Sequence, residues 1–317
     1  MKMVNDYKFL PYLGRFVLIY LATVTVAAVI FIFVQGLLPV AQRVALDFFA
    51  PYDLGWGELV VQALRGMVIA LVLWPFYPLI VRGKNGLLLL FAAIWGLVLF
   101  ASMEPKPGSI EGMIYTHTTV LEHFLVMIFG ALQTSVFAWL FLKWERQSLA
   151  AVNQDQPEML ILDSEKSGFV KEKGYYIRFT LLHIVVYMLV GSLFYQIAGY
   201  EEALATMDEF TLWRDLESIG MVAAVFLGQI ARGAVIALLV GPFYSTYLNR
   251  RHGWLLLFSL LFGLKVLVVL IAIPEVPLDW AELAIGIPEI TVQTFVFSLL
   301  FYSWEKRRAK KISKQAA

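Results

Sequence analysis

Two arginines lie inside apolar segments of this sequence, and each belongs to the same short pattern. The spacing Gln-x-x-Arg-Gly occurs at Gln62 with Arg65 and again at Gln229 with Arg232, which puts each amide one helical turn from a guanidinium. An arginine inside a bilayer is costly unless it pairs or faces a wet cavity, so both are candidates for function. Two guanidinium groups facing a central cavity would bind an anionic group. The structural alternative is that each arginine ties its own helices together through a carboxylate partner.

Carboxylates that could pair with these arginines lie near the start of the last apolar segment of each half of the chain. Glu122 in the first half aligns with Glu282 in the second, and Glu289 is a further candidate partner for Arg232. Glu289 follows Pro288, and proline suits the first position of a helix. Favourable interaction with the helix dipole is therefore the alternative role for Glu289.

Two prolines and a lysine complete the set of candidate residues. Pro75 and Pro242 each follow one of the arginines by ten residues. Each proline removes one backbone hydrogen bond, so we expect both helices to bend there. Lys265 also lies within an apolar segment, while its counterpart in the first half is Val98. We expect Lys265 to pair or to extend towards the membrane surface.

Signatures of soluble enzymes and of metal centres are missing from the sequence. It contains no Gly-x-Gly-x-x-Gly, phosphate-binding Gly-Lys-Ser/Thr, His-Glu-x-x-His or Gly-x-Ser-x-Gly motif, and no cysteine. The nearest metal-like grouping is His117, Glu122 and His123, with Glu111 upstream. Adjacent Glu122 and His123 cannot share one helical face, so we interpret this grouping as a polar cluster at the membrane surface. The sequence thus predicts no cofactor and no metal, and it favours a role that is not enzymatic.

Composition indicates what kind of scaffold must hold these residues. Hydrophobic residues make up 60% of the 317 residues and charged residues 15%, whereas soluble domains carry roughly 25% charged residues. Apolar runs long enough to cross a bilayer predict an all-α integral membrane protein with eight transmembrane helices. The predicted spans are Phe16–Val40, Leu59–Val81, Leu87–Met103, Thr118–Leu142, Phe179–Ala198, Met221–Leu248, Trp254–Ile273 and Pro288–Ser303.

The distribution of lysine and arginine predicts the orientation of these spans. If the N-terminus is cytoplasmic, 19 of the 25 basic residues lie on the cytoplasmic side and three on the outer side. This bias follows the positive-inside rule and predicts that both termini are cytoplasmic. The absence of cysteine and of Asn-x-Ser/Thr sites favours location in a cell membrane, specifically a prokaryotic inner membrane.

An internal duplication divides the chain into two units. Gln62–Phe91 aligns with Gln229–Phe258 at an offset of 167, with 15 of 30 positions identical. The match resumes at an offset of 160, where Trp144 and Glu145 align with Trp304 and Glu305. We therefore predict a four-helix unit over residues 1–144, a polar cytoplasmic linker over 145–173, and a second four-helix unit with a basic tail over 174–317. Because each unit has an even number of helices, the repeats are expected to be parallel.

Three functions remain open at this level. A transporter or permease is favoured by the parallel repeats, the paired arginines and the prolines within helices. A non-catalytic membrane scaffold or partner subunit is favoured by the short loops and by the lack of midplane carboxylates. An intramembrane enzyme would need convergent acid, base or metal groups, which the sequence does not show.

Charge also limits the partners that the chain can have. The net charge of +1 excludes a strongly basic nucleic-acid binder. The predicted outer loops carry thirteen acidic and three basic residues, which would repel a free anion arriving from outside. The expected partners are therefore the lipid bilayer and a small-molecule or lipid ligand, while the oligomeric state cannot be read from the sequence.

Overall fold

The computed structural model describes residues 9–49, 55–152, 172–197, 212–214, 218–271 and 280–316. Within these residues every regular element is a helix, and the only β-type pairing described is a single antiparallel bridge between Thr116 and Trp213. The helices are α1 (Phe9–Gly36), α2 (Val44–Phe49), α3 (Trp56–Leu73), α4 (Tyr77–Val81), α5 (Gly86–Phe91), α6 (Ile110–Tyr115), α7 (Val120–Val152), α8 (Lys173–Ile197), α9 (Ile219–Val240), α10 (Tyr244–Leu248), α11 (Gly253–Phe258), α12 (Val268–Leu270) and α13 (Trp280–Ala316).

Six of the helical segments are long and apolar enough to cross a bilayer. They are Phe9–Gly36, Trp56–Val81, Val120–Ala151, Gly174–Ile197, Ile219–Leu248 and Gly253–Leu270, and a shorter apolar segment covers Gly86–Phe100. The prediction of an all-helical, multi-pass membrane protein is confirmed at this level. Helix α7 extends to Val152, so the first residues of the interval predicted as a linker are helical. Most of that interval, residues 153–171, lies outside the described residues.

The two prolines predicted to bend helices lie where the helices change geometry. A 3₁₀ turn over Trp74–Phe76 separates α3 from α4, and a 3₁₀ turn over Gly241–Phe243 separates α9 from α10. Pro75 and Pro242 each occupy the middle position of their turn. Since proline has no N–H to donate, the regular α-helical ladder is broken there and the tighter turn takes its place.

The end of the bundle that carries Phe9 and Ala316 is called here the terminal face, and the end that carries residues 101–119 and 212–214 the loop face. On the terminal face, Glu145 accepts hydrogen bonds from Arg15 Nε at 2.6 Å and Arg15 Nη2 at 3.0 Å, and from the Tyr77 hydroxyl at 2.7 Å. This carboxylate is buried, with 2% of its surface exposed. It therefore connects α1, α4 and α7.

The second half of the chain contains the equivalent group of side chains. Glu305 accepts from Arg178 Nε at 2.6 Å, from Arg178 Nη2 at 3.1 Å and from the Tyr244 hydroxyl at 2.6 Å. We call these two groups the Arg–Glu–Tyr triads. The duplication aligned the residues of each triad, but their contact was not anticipated from the sequence.

Aromatic residues at equivalent positions of the two halves also pack in the same way. Phe16 packs against Phe137 and Phe141, with ring centroids 4.8 and 5.1 Å away. In the second half, the ring of Phe179 lies 4.6 Å from that of Phe297 and 4.9 Å from that of Phe301. Between the halves, the equivalent residues Phe76 and Phe243 contact each other edge to face at 5.0 Å.

Two glycines allow the halves to approach closely. Helix α5 continues as a π-helix over Ala92–Phe100, and α11 continues as a π-helix over Ser259–Leu267. A Cβ atom on Gly96 would lie 2.4 Å from Leu239 Cδ2, and one on Gly263 would lie 2.4 Å from Val72 Cγ2. Each π-helix therefore packs, through a glycine, against the arginine-bearing helix of the other half.

Substituting valine for either glycine is expected to lower the free energy of unfolding by about 1–3 kcal/mol, because added side-chain atoms overpack the contact. Thermal unfolding of Gly96→Val and Gly263→Val in detergent would measure this. Gly14→Val is the matched control, since nothing lies within 4 Å of the Cβ position at Gly14. Equal melting temperatures for all three variants would show that the glycine contacts are not close in the membrane protein.

Candidate functional site

The second half contains a cavity of about 860 Å³ between α8, α9, α13 and the second π-helix. This volume lies within the roughly 300–1,000 Å³ that is usual for small-molecule sites. The wall is mostly apolar, with polar side chains from different elements reaching it: Glu111, His183, Tyr187, Arg232, Lys265 and Gln293. Glu111 belongs to the first half, so residues of both halves form the wall.

Arg232 and Glu111 form a buried ion pair at this wall. Arg232 Nη1 contacts Glu111 Oε1, and the two side chains are 5% and 6% exposed. Arg232 Nη2 also donates to the carbonyl oxygen of Ser102 at 3.3 Å, whereas its Nε has no hydrogen-bond partner within the described part of the chain. The ion pair joins α9 of the second half to a loop-face helix of the first half.

The short helix α6 holds Glu111 in this position. Ser109 caps α6 by accepting a hydrogen bond from the backbone N–H of Gly112 at 2.9 Å. Ile114 lies against Gly228 of α9, where a Cβ atom would be 2.4 Å from Ile114 Cδ1. The glycine in α9 therefore gives α6 room to approach, and the approach places the carboxylate beside the arginine.

Gln229 extends the ion pair into a buried polar network. Its Nε2 donates to both carboxylate oxygens of Glu111 at 3.3 Å, and its Oε1 accepts from Arg232 Nη1 at 3.4 Å. The hydroxyls of Tyr115 and Tyr187 share a hydrogen bond of 2.6 Å beside it. Burial, reinforced by the nearby Glu111 carboxylate, raises the pKa of the Tyr115 hydroxyl, so that it stays protonated and can donate.

Lys265 and His183 also have unused hydrogen-bonding capacity at the cavity wall. Lys265 is 9% exposed, and the structure shows no hydrogen bond or ion pair of its ammonium group with any described residue. The Nε2 atom of His183 is buried, again with no partner among the described residues. His183 packs on Gly233, where a Cβ atom would be 2.8 Å from the imidazole ring. The predicted pairing of Lys265 is therefore not seen.

Glu289 also lines the cavity and accepts a hydrogen bond from Gln293 Nε2 at 2.8 Å. The suggested capping role of Glu289 is wrong, because α13 begins at Trp280 and Pro288 lies inside the helix. The positive end of the helix dipole is therefore more than two turns away from this carboxylate. Glu282, the other candidate in this half, is in α13, but its side chain is outside the described part.

Glu122 holds together the loop face of the first half. One carboxylate oxygen accepts from the backbone N–H groups of Ala45 and Leu46 at 2.7 and 3.1 Å, in the first turn of α2. The other accepts from Thr119 N–H at 2.8 Å, while Thr119 Oγ1 accepts from Glu122 N–H at 3.3 Å. This reciprocal arrangement is a capping box for α7. Glu122 is thus not paired with Arg65, and the described partner of Arg232 is Glu111 and not Glu289.

The residues of the metal-like grouping are used separately. His123 Nδ1 accepts from the backbone N–H of Gly108 at 2.9 Å, Glu122 caps two helices, and Glu111 pairs with Arg232. Among the described residues there is no group of three or more His, Asp or Glu side chains placed to hold a metal ion.

The first-half arginine has different surroundings from its counterpart. Arg65 is half-buried, and no described residue forms an ion pair with it or a hydrogen bond with its buried Nε. Gln62, one helical turn before Arg65, donates a hydrogen bond to Glu58 Oε1 at 2.6 Å. Its amide therefore pairs with the carboxylate at the start of α3. The duplicated Gln-x-x-Arg-Gly pattern therefore gives an ion pair with a carboxylate in one half only.

The same asymmetry extends to the cavity wall. The first-half equivalents of His183, Lys265 and Glu289 are Tyr20, Val98 and Phe129, at offsets of 163, 167 and 160. Tyr20 packs on Gly66 just as His183 packs on Gly233. Comparing the two halves position by position identifies His183, Lys265 and Glu289 as polar residues that the first half lacks at the equivalent positions. These differences indicate the second half as the location of the candidate site. No family model, curated protein or solved structure matches this chain.

Proposed function

We propose that the chain is an eight-span membrane protein made of two parallel four-helix repeats, with the boundaries that the duplication gives. The equivalent Arg–Glu–Tyr triads and the exchanged glycine contacts support this arrangement. Besides the six long segments, the proposal counts two further spans, Gly86–Phe100 and the part of α13 from Pro288 to Ser303. Positive charge on the terminal face supports a cytoplasmic location for both termini.

The proposed orientation can be tested with reporter fusions. A reporter fused after Ala317 is expected to behave as cytoplasmic, and one inserted near Asp208 as external. A fusion at Arg251 should report the cytoplasm again, because it follows a further span. If the Ala317 and Asp208 fusions gave the same location, an even number of spans would lie between them, which would contradict the proposed three.

The proposed function is that of a transporter or permease-like protein that holds a small-molecule or lipid ligand in the cavity of its second half. The carrying observation is Lys265, whose amino group is buried at the cavity wall with no hydrogen bond or ion pair to a described residue. A polar or charged group held in a low-dielectric site without a hydrogen-bond partner is destabilising. Such a group persists where a ligand or water in the cavity supplies the missing partner.

Filling the cavity tests this function without knowledge of the ligand. Gly191 lines the cavity, and its Cβ position is 3.5 Å from Glu289 Oε1, so a larger side chain would extend into the open volume. Cells that lack the protein are expected to show an altered lipid or metabolite profile. The wild type and the control Gly14→Phe should restore this profile, whereas Gly191→Phe, at equal membrane abundance, should not. Restoration by Gly191→Phe would contradict a ligand-binding role for the cavity.

A membrane scaffold or partner subunit is the second candidate. The observation in its favour is that Arg232 is paired with Glu111 and bonded to Ser102, as expected of an arginine that holds helices together. The cavity favours the first candidate, because Arg232 also lines it. In the profile experiment, a scaffold would restore the profile as the wild type and as both glycine variants.

A further inference from the structure

We propose that the ligand of this cavity is an amphipathic anion, a molecule with a phosphate or carboxylate head and an acyl chain, and that Lys265 contacts its head. The inference depends on the proposed ligand-binding function and specifies the chemistry of the ligand. It is based on three features: the charges at the inner wall, the exposed apolar residues beside the cavity, and the charge of the loop face.

The amino group of Lys265 and the Nε2 atom of His183 both lie at the cavity wall without a hydrogen-bond partner among the described residues, and Lys265 is close enough to act electrostatically on His183. The carboxylate of Glu111 is already bonded to Arg232 and Gln229, and that of Glu289 accepts a hydrogen bond from Gln293. An anionic head between Lys265 and His183 would give both side chains a partner without disturbing either bonded carboxylate.

The remainder of the cavity suits an acyl chain. Its wall is mostly apolar, and several of the residues on α8 and α9 that line it keep a large exposed surface, among them Met188, Val222 and Phe226, which are 40%, 59% and 45% exposed. In a membrane-spanning bundle, exposed apolar side chains on the outer surfaces of helices face lipid. The cavity is therefore bordered by residues in contact with the acyl chains of the bilayer.

The loop face disfavours a soluble anion as the ligand. The sequence predicts outer loops with thirteen acidic and three basic residues. This charge would keep free anions away from the cavity. A molecule that is already in the membrane avoids this barrier, because it can enter between helices. An anionic ligand that enters from the membrane is therefore compatible both with the cavity wall and with the acidic loop face.

Ligand binding to the purified full-length protein in a neutral detergent tests the inference. The probes are palmitate and palmitoyl lysophosphatidate as anionic amphipaths, methyl palmitate as the uncharged analogue, and inorganic phosphate as the soluble anion. We expect both anionic amphipaths to bind the wild type, and Lys265→Gln to weaken their binding by about tenfold or more, as for loss of a hydrogen bond to a charged group. The ratio between the two affinities distinguishes a carboxylate from a phosphate head.

Two lysine variants serve as controls. Lys265→Arg keeps the charge and should bind both anionic amphipaths nearly as the wild type does. Lys143→Gln removes a charge from outside the cavity, where the ammonium lies 5.1 Å from the centre of the Trp139 ring, and should leave all binding unchanged. Equal binding of palmitate by the wild type and Lys265→Gln would overturn the assignment of the head. Binding of phosphate with the same dependence on Lys265 would overturn the assignment of an acyl chain.

Gly191→Phe separates failure of this inference from failure of the proposed function. If this variant loses methyl palmitate and palmitate alike while Lys265→Gln binds both, the cavity holds a ligand but the anionic head is wrong. If Gly191→Phe binds every probe as the wild type does, the cavity is not a ligand site and both proposals fail.

Discussion

Replacing Arg232 with glutamine is expected to lower the free energy of unfolding by roughly 3–5 kcal/mol, the usual cost of removing one partner from a buried ion pair. The reason is that the carboxylate of Glu111, 5% exposed, would be left without its cation in a low-dielectric environment. Thermal or denaturant unfolding of the purified protein would measure the loss. It should be the largest effect of any single arginine substitution within the spans.

Arg65→Gln is the matched control, because it makes the same change at the equivalent position of the other repeat. No described carboxylate pairs with Arg65, so its loss should cost much less than that of Arg232. The double variant Arg232→Gln with Glu111→Gln should recover part of the stability, since it leaves no buried charge unpaired. If Arg65→Gln and Arg232→Gln lowered the free energy of unfolding equally, the ion pair with Glu111 would not be the source of the stability that Arg232 provides.

The carboxylates of the Arg–Glu–Tyr triads are expected to give the second-largest effect. Glu145→Gln and Glu305→Gln should each cost about 3 kcal/mol, towards the lower end of the range for a buried pair, because the arginines are partly exposed. The side chains of Arg15 and Arg178 are 21% and 14% exposed, so water can compensate part of the lost pairing. Similar losses in the two halves are expected, since the contacts are equivalent.

Glu172→Gln is the control for the triads, because Glu172 pairs with Arg178 and Arg308 but its side chain is 45% exposed. These arginines hold the pKa of the Glu172 carboxyl below its usual range, chiefly through the hydrogen bond from Arg308. An exposed pair contributes little, so the substitution should cost less than about 1 kcal/mol. If Glu172→Gln lowered the free energy of unfolding as much as Glu305→Gln, burial would not be what makes the triads stabilising.

Long-range patterns were the features best predicted from the sequence. Six of the eight predicted apolar runs fall on described helices long and apolar enough to cross a bilayer, and the two prolines marked the helix interruptions at Pro75 and Pro242. These predictions depend on the local properties of the chain: its hydropathy over a bilayer thickness and the missing N–H of proline. The duplication paired Glu145 with Glu305, although it could not show which side chains contact them.

The candidate site was harder to predict because its contacts connect distant parts of the chain. Glu111 lies 121 positions before Arg232 and in the other repeat, so helix periodicity gave no reason to pair them. The start of α13 was also misjudged, since proline is tolerated inside this helix and Pro288 was taken as its first residue. Lys265 was noticed as a single mid-span cation, but its lack of a partner depends on packing that one sequence does not encode locally.

The contact of α6 with α9 also changes what the duplication means for assembly. A repeat that could form its own arginine–carboxylate pair would be self-sufficient, and two identical copies could associate as a homodimer. Here the second repeat obtains Glu111 from the first, so two copies of the second repeat would assemble around two unpaired Arg232 side chains. The covalent connection therefore does more than raise the local concentration of the repeats. It keeps a half that supplies the carboxylate beside a half that contains the cavity, so the two halves of the chain are complementary at this ion pair and not interchangeable.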